Sequence, residues 1–423
     1  MKFSIEVHDT EVAGLLSDLV RITGVEPWKR RFDWLHRELE ENNFMEAWLR
    51  ERCLIEWTMN DVLRDPSLTP HRPFQIENIA QYELVGFAAG VVRSYERLSD
   101  GGKRRLRGAL LDGLKEDKGL LSIQHEITTA VHLMSRGFDV EFHDMEYGGG
   151  ADYIARKDDI EIEVECKMFS ADLGRKIHRR RSATLSKVLE GALSQTYSAA
   201  STGLIVIVNI PDRLTPSPKQ HLGIEETIRM GLLNGNAFTQ TEYCVVRVLD
   251  FPIDRSPFNK VPEQLSRKEM DQFVRERTGR SNSTLITMFS PSKRAVVLSL
   301  ESEKPDEVLK GMHHQLREAA KGQFSKTRPA ILAVQLHDLT ADQLVDLAQS
   351  DSSWRGNATG LQIMTSDFLQ SPSRSHIHTV VYRSHGALGD KQDGTKHADG
   401  IAYMIKNGFH PLAKDARYSA FGA

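Results

Sequence analysis

The sequence predicts an α/β protein: a core over residues 122–210 in the order helix, strand, strand, strand, helix, strand, with a helical region before it and an α+β region after it. Three observations predict this class. Apolar residues recur at helical spacing through the first 118 residues. Ile160, Ile162, Val164 and Cys166 alternate with polar residues, as in a strand with one buried face. The unbroken apolar run Leu204–Val208 reads as a strand covered on both faces.

The elements follow in order. Trp34, Leu35, Leu39, Met45, Trp48, Leu49, Leu54 and Ile55 lie among many Glu and Arg, one apolar stripe per helix. Ser67, Pro70 and Pro73 mark a loop near 65–73, and a second helical stretch covers about 78–97. Lys103–Arg107 is a basic cluster at a helix start. Ser122 is an N-cap candidate for a helix carrying Ile123, Ile127, Ala130, Val131 and Met134 on one face, closed by Gly137. Phe138, Val140 and Phe142 alternate as a strand, and Tyr147–Asp152, with its three glycines, reads as a turn. The turn at Arg156–Asp159 joins the strand that Asp152 opens to the strand at 160–167. A helix is expected at about 183–200 and the buried strand at 204–208. Further on come a helix near 222–234, a strand at 243–249, and strands at 284–290 and 294–301 joined by Pro291–Lys293. A helix at 304–321, a strand at 330–336, a helix at 340–349 and a strand at 379–382 complete the reading. The regions expected are therefore 1–118, 119–250 and 251–423.

Composition narrows the function. With 55 Lys+Arg against 58 Asp+Glu, the net charge is −3, so any nucleic-acid contact has to use a local basic patch. The start of the chain carries charges where a secretory signal needs an apolar stretch, and no run approaches the ~20 residues of a membrane helix. Cys53, Cys166 and Cys244 are odd in number and widely spaced, forming no zinc pattern and no disulfide framework. A cytoplasmic chain with no membrane partner is expected. His376, His378, His385 and His397 show no recognised metal spacing, and no nucleotide-binding loop is present.

The strand at 160–167 carries the chemistry. Period two places Glu161, Glu163, Glu165 and Lys167 on one face, where three carboxylates in a row repel unless a cation or solvent relieves them. If this strand pairs with the one that Asp152 opens, the Asp152 and Glu165 carboxylates converge. Such a pair suits a hard divalent cation. Lys167, two positions from Glu165, shares its face and can polarise a water or steady a phosphate. Glu163 shares that face too and stays open as an alternative ligand. The alternative for the whole set is an ordinary hairpin with a solvated polar face. Arg175, Lys176, Arg179, Arg180, Arg181 and Lys187 follow with no acid among them, either a solvated loop or a phosphate contact.

Asp152 followed by Glu165-Cys166-Lys167, with Glu126 on the helix upstream, resembles the PD-(D/E)XK nuclease superfamily, whose restriction-endonuclease-like core has the α-β-β-β-α-β order read above. Ala151 stands where the family name has Pro. The resemblance covers about 90 residues. It implies a metal-dependent nuclease that hydrolyses DNA phosphodiester bonds with Mg2+ or Mn2+, in restriction, repair or anti-phage defence, with a protein partner from such a system. It implies metal ligands at Asp152, Glu165 and Glu126, water activation by Lys167, and a role near the metal for Gln195 on the following helix. From the residues alone, Glu126 reads first as a surface carboxylate, and Gln195 equally as a buried structural amide. Two other classes remain open: a catalytically inactive scaffold or nucleic-acid-binding subunit that keeps the fold, and an RNA-directed nuclease.

Overall fold

The computed structural model describes residues 6–418 apart from 66–67, 69–72, 116–118, 197–201, 234–237, 260–265, 280–283, 290–294, 337–340, 353–356, 385, 391–395 and 416–417. Most of the loop near 65–73, the turn at Pro291–Lys293 and His385 thus lie outside the described residues. In chain order the helices are α1 Val12–Thr23, α2 Val25–Glu41, α3 Glu46–Arg52, α4 Leu54–Leu63, α5 Ile79–Arg97, α6 Asp100–Gly113, α7 Leu121–Ser135, α8 His143–Tyr147, α9 Arg179–Thr196, α10 Pro218–Leu233, α11 Arg267–Thr278, α12 Val308–Gly322, α13 Ala341–Ser352 and α14 Gly360–Gln370. The strands are β1 Asp139–Phe142, β2 Tyr153–Lys157, β3 Ile160–Phe169, β4 Gly203–Ile210, β5 Phe238–Gln240, β6 Val245–Phe251, β7 Thr284–Phe289, β8 Ala295–Ser302, β9 Ala330–Leu336, β10 Ile377–Arg383, β11 Ala387–Asp390, β12 Lys396–Asp399 and β13 Ala402–Lys406. The chain is α/β, as expected. Among the described residues no helix is long and apolar enough to cross a membrane.

The chain forms two units. The first contains residues 1–36, 49–173 and 308–423, the second 37–48 and 174–307. In the first, a six-stranded sheet runs β1-β2-β3-β9-β10-β13. β1, β2 and β3 are an antiparallel meander, β3, β9 and β10 are parallel, and β13 is antiparallel to β10. Val164, Cys166, Ile331, Ala333 and Val381 pack on one face against the helical core of Leu16, Leu84, Val91, Leu106 and Ile127. Leu332, Val334, Val380 and Tyr382 pack on the other, with Leu316 of α12 and Phe368 of α14. This side-by-side covering of both faces is what lets parallel strands be apolar throughout.

The second unit is a five-stranded sheet, β5-β6-β4-β8-β7. Leu185, Leu189, Ile224 and Ile228 cover one face and Phe258, Phe273 and Val274 the other. The two ends of the 174–307 stretch meet, Glu307 N donating to Gly174 O at 2.8 Å.

Two expectations need correcting. The strand at 204–208 does not join the sheet of β3; it is β4 of the second unit, between β6 and β8. The place beside β3 belongs to β9, which α12 precedes, so helix 308–322 and strand 330–336 complete the order begun by α7, β1, β2 and β3. The division at 119–250 and 251–423 fails with it, because both stretches are shared between the two units. The physical reason is that a parallel crossover needs only a helix followed by an apolar strand. Both helix–strand pairs meet that requirement, and local pattern does not choose between them. The C-terminal region also holds α14, β11, β12 and β13, which periodicity did not suggest.

Candidate active site

The β2–β3 hairpin sets the site. A two-residue turn at Asp158–Asp159, with Asp158 at φ 53°, brings Lys157 opposite Ile160. Asp tolerates that left-handed conformation better than most residues. The register ends at Tyr153 opposite Val164, so one step further Asp152 faces Glu165. Asp152 Oδ2 accepts a hydrogen bond from Cys166 N at 2.6 Å, which fixes the carboxylate against β3. Glu165 is buried, and its Oε1 accepts from Lys167 Nζ at 2.6 Å while Oε2 is buried without a hydrogen-bond partner.

The like-charged row on β3 is relieved one cation at a time. Glu161 meets Arg328 Nε at 3.0 Å and Arg156 Nη2 at 3.1 Å. Both oxygens of buried Glu163 are engaged, Oε1 by Arg328 Nη1 at 3.3 Å and Oε2 by Ser325 N at 3.0 Å. Glu165 has Lys167. The alternative ligand Glu163 is therefore tied into the loop before β9, whereas Glu165 keeps an uncommitted oxygen. Glu163→Gln is expected to lower stability by about 1–3 kcal/mol, as for a buried group losing its charged partner. Urea unfolding checks this, and any DNA-cleaving activity should survive.

Glu126, on α7, joins the group electrostatically. Burial, then the charges of Glu165 and Asp144, push its carboxyl up to about 7, with Lys167 opposing. Burial, Glu126 and Glu165 push Asp152 well above the usual carboxylate range. Burial also raises Glu165, against the pull of Lys167. Burial works against the Lys167 ammonium, but Glu165 and Asp152 outweigh it and hold its pKa above the ordinary lysine value. Lys167 is thus a protonated cation here, suited to orienting a group or stabilising negative charge and not to taking a proton.

Asp144 was missed by sequence reasoning. The turn read over Tyr147–Asp152 is preceded by a helix the sequence did not suggest, α8, and Asp144 is exposed at its start. His143 N donates to Asp152 O at 2.9 Å, which ties α8 to the residue that opens β2. The only sequence signal was an acid eight positions before Asp152. The glycines that follow adopt φ values of 79°, 145° and 92° at Gly148, Gly149 and Gly150. A Cβ at Gly150 would sit 3.0 Å from the His143 ring and one at Gly148 3.0 Å from Arg105 Nε, so both packing and dihedral demand glycine.

The expected basic run is largely engaged within the second unit. Lys176 is buried, with Nζ 3.1 Å from Glu307 and 3.7 Å from Asp212. Arg181 donates to Leu214 O at 2.9 Å, and Arg180, exposed, lies 5.4 Å over the Trp48 ring. Arg175 and Arg179 are half-buried and also have partners. A phosphate-binding role for all five is not what this arrangement favours, because a buried lysine with two carboxylates has no free charge to offer. Gln195, whose side chain is outside the described residues, lies on α9 of that same unit, whereas the helix that precedes β9 is α12.

Among the described residues no group of three or more His, Cys, Asp and Glu stands gathered on one metal position. The donor chemistry nevertheless suits a hard cation. Asp152, Glu165 and Glu126 are all carboxylates, Glu165 raises the pKa of both others, and Glu165 Oε2 is orphaned in a buried position. Each of these features costs free energy that a divalent ion or a proton would relieve. Compared with known proteins, the chain matches no family model, no curated protein and no solved structure.

Proposed function

We propose that the chain is a metal-dependent nuclease that hydrolyses DNA phosphodiester bonds, with a restriction-endonuclease-like core built from α7, β1–β3, α12 and β9. One observation carries the reading: Asp152, just before β2, accepts from Cys166 N of β3 beside Glu165, Lys167 is bonded to Glu165, and Glu126 is raised by Glu165 and itself raises Asp152. Strongly perturbed carboxyls beside a lysine are what an active site uses to set its charge. Asp152, Glu165 and Glu126 would hold Mg2+ or Mn2+. When bound, the ion supplies positive charge against the charge that develops on the phosphoryl oxygens.

The remaining work falls to the chain's own residues. The Cys166 N–H holds Asp152 in place, and the β2–β3 register keeps Glu165 opposite it. Lys167, protonated, orients the attacking water or stabilises the phosphorane-like oxygens by its charge. Arg156 and Arg328 neutralise the neighbouring Glu161 and Glu163. The setting implied is restriction, repair or anti-phage defence in the cytoplasm, with a protein partner.

The test is parallel incubation of the full chain with supercoiled plasmid, single-stranded DNA and labelled RNA, in MgCl2, in MnCl2 and in EDTA. Cleavage of DNA that EDTA stops is the expected result. Cleavage of RNA alone would replace the substrate, and no cleavage of any of the three would favour a scaffold.

A further inference from the structure

Beside the carboxylates stands an aromatic ring that the proposed chemistry leaves unused. Tyr147, the last residue of α8, is 66% exposed, yet it is not a loose side chain. Glu141, whose charge acts on the Tyr147 hydroxyl, is held in turn by Arg156 Nη1. Its ring centroid lies 4.9 Å from that of His143, at 51°. The short helix under it is anchored to α6 and its N-cap. Arg105 Nη1 donates to Met145 O and Glu146 O, each at 2.9 Å, and Ser99 N and Oγ both donate to Glu146. An exposed aromatic ring that is already immobilised loses little entropy when something stacks on it, which is the property of a recognition anchor.

Its position ties it to the site. Glu141 lies opposite Ile154, and Ile154 opposite Glu163, so Glu141 and Glu163 share the sheet face of Asp152 and Glu165. From strand spacings the Cα atoms of Glu141 and Glu165 are about 12 Å apart. Asp144, whose charge reaches Glu126 and Glu165, is three residues before Tyr147 on α8, and residues so spaced are neighbours on one helix face. A Cβ built on Gly149, two residues further on, would meet open space. The surroundings also select the occupant. Tyr147's neighbours are the polar groups of Glu141, His143, Glu146 and Arg156. An apolar protein patch needs a contiguous apolar counterpart. A flat ring with polar edges needs only one aromatic face.

We propose that Tyr147 is a stacking platform for an unpaired nucleobase of the strand whose phosphodiester meets the Asp152–Glu165 carboxylates, so that the favoured substrate is single-stranded or locally unpaired DNA. This rests on the nuclease reading for the identity of the strand. A base inside a duplex has both faces covered, whereas an unpaired base offers one to Tyr147.

The experiment measures binding of the full chain in CaCl2, by fluorescence anisotropy, to three labelled probes: a single-stranded DNA oligonucleotide, the same strand with abasic sites, and its duplex. Tyr147→Ala is expected to weaken single-strand binding about 5- to 100-fold, the range for loss of one base–aromatic stack, and to leave duplex binding unchanged. It should also erase the preference of the unaltered chain for the base-bearing over the abasic strand. Tyr147→Phe, which keeps the ring, should keep that preference. Unaltered single-strand affinity in Tyr147→Ala, an equal loss on the abasic strand or the duplex, or capture of an apolar peptide in place of DNA would each overturn the inference. A chain that binds through Tyr147 but leaves DNA intact in MgCl2 would sink the nuclease reading alone. A chain that cuts DNA while indifferent to Tyr147→Ala would sink the stacking inference alone.

Discussion

Glu165→Ala and Asp152→Ala are expected to bring divalent-dependent DNA cleavage down to background, and Lys167→Ala to lower it on the order of 10²–10³-fold, the usual cost of removing one preorganised electrostatic group. The causes differ and can be separated. Without Glu165 or Asp152 a carboxylate is lost from the pair that faces across β2 and β3, so calorimetric affinity for Mn2+ should fall together with rate. Without Lys167, Oε1 of Glu165 is released from its 2.6 Å bond, and the local positive charge falls by one. Metal affinity should then hold or rise while turnover collapses. DNA affinity measured without cleavage should survive in all three variants. Full activity in Lys167→Ala, or a Glu163→Gln variant as inactive as Glu165→Ala, would show that the chemistry lies on other residues.

The largest effect on stability is expected in the helical part of the first unit. Arg31 and Glu56 are both fully buried, with Nη2 to Oε1 at 3.0 Å. Arg31 also donates to Lys115 O at 2.8 Å and to Cys53 Sγ at 3.2 Å, and its guanidinium lies 4.7 Å over the Trp34 ring. Burial pushes the Glu56 carboxyl up, and Arg31 is the charge that opposes it. Arg31→Met should destabilise by about 3–5 kcal/mol, because it strands a buried carboxylate. The double variant Arg31→Met with Glu56→Leu should recover much of that loss, since apolar replacements of similar volume remove both charges at once. The pH dependence follows from the direction of the shift. In Arg31→Met the folded-state pKa of Glu56 lies further above its unfolded value, so the protonated form is the stable one. The penalty should shrink as pH falls towards the unfolded carboxyl value and grow as pH rises through the folded one. Thermal unfolding at pH 5 and pH 8 reads this; an identical penalty at both would mean that Glu56 does not carry the effect.

What the sequence made legible was local. The alternation at 160–167, the turn at 156–159 and the acid that opens β2 were enough to place Asp152 opposite Glu165, because hairpin register follows from turn length and burial pattern. Glu126 was legible as an acid on α7, but its approach to Glu165 depends on how that helix packs on the sheet. The partner of β3 was not legible, since the choice between strands 204–208 and 330–336 is made by long-range contacts that periodicity does not encode. Nor was the fate of Lys176: its buried bonds to Asp212 and Glu307 join residues far apart in the chain. Asp144 went unseen because a five-residue helix has too little length for a periodic signal.

The hydrogen bond from Glu307 N to Gly174 O bears on the order in which the protein assembles. β3 and β9 must pair side by side, yet during synthesis the whole of 174–307 emerges from the ribosome between them. Closing so long a flexible loop is entropically costly and slow. Once the inserted segment has folded, its ends are held together, and for the rest of the chain it becomes a connection only a few ångströms wide. The carboxylate pair already takes shape in the β2–β3 hairpin, but β9, the strand that shields β3, arrives only after that segment. Interruption of the segment's own folding would therefore leave a half-built sheet with β3 as an open edge, the kind of edge that recruits other chains.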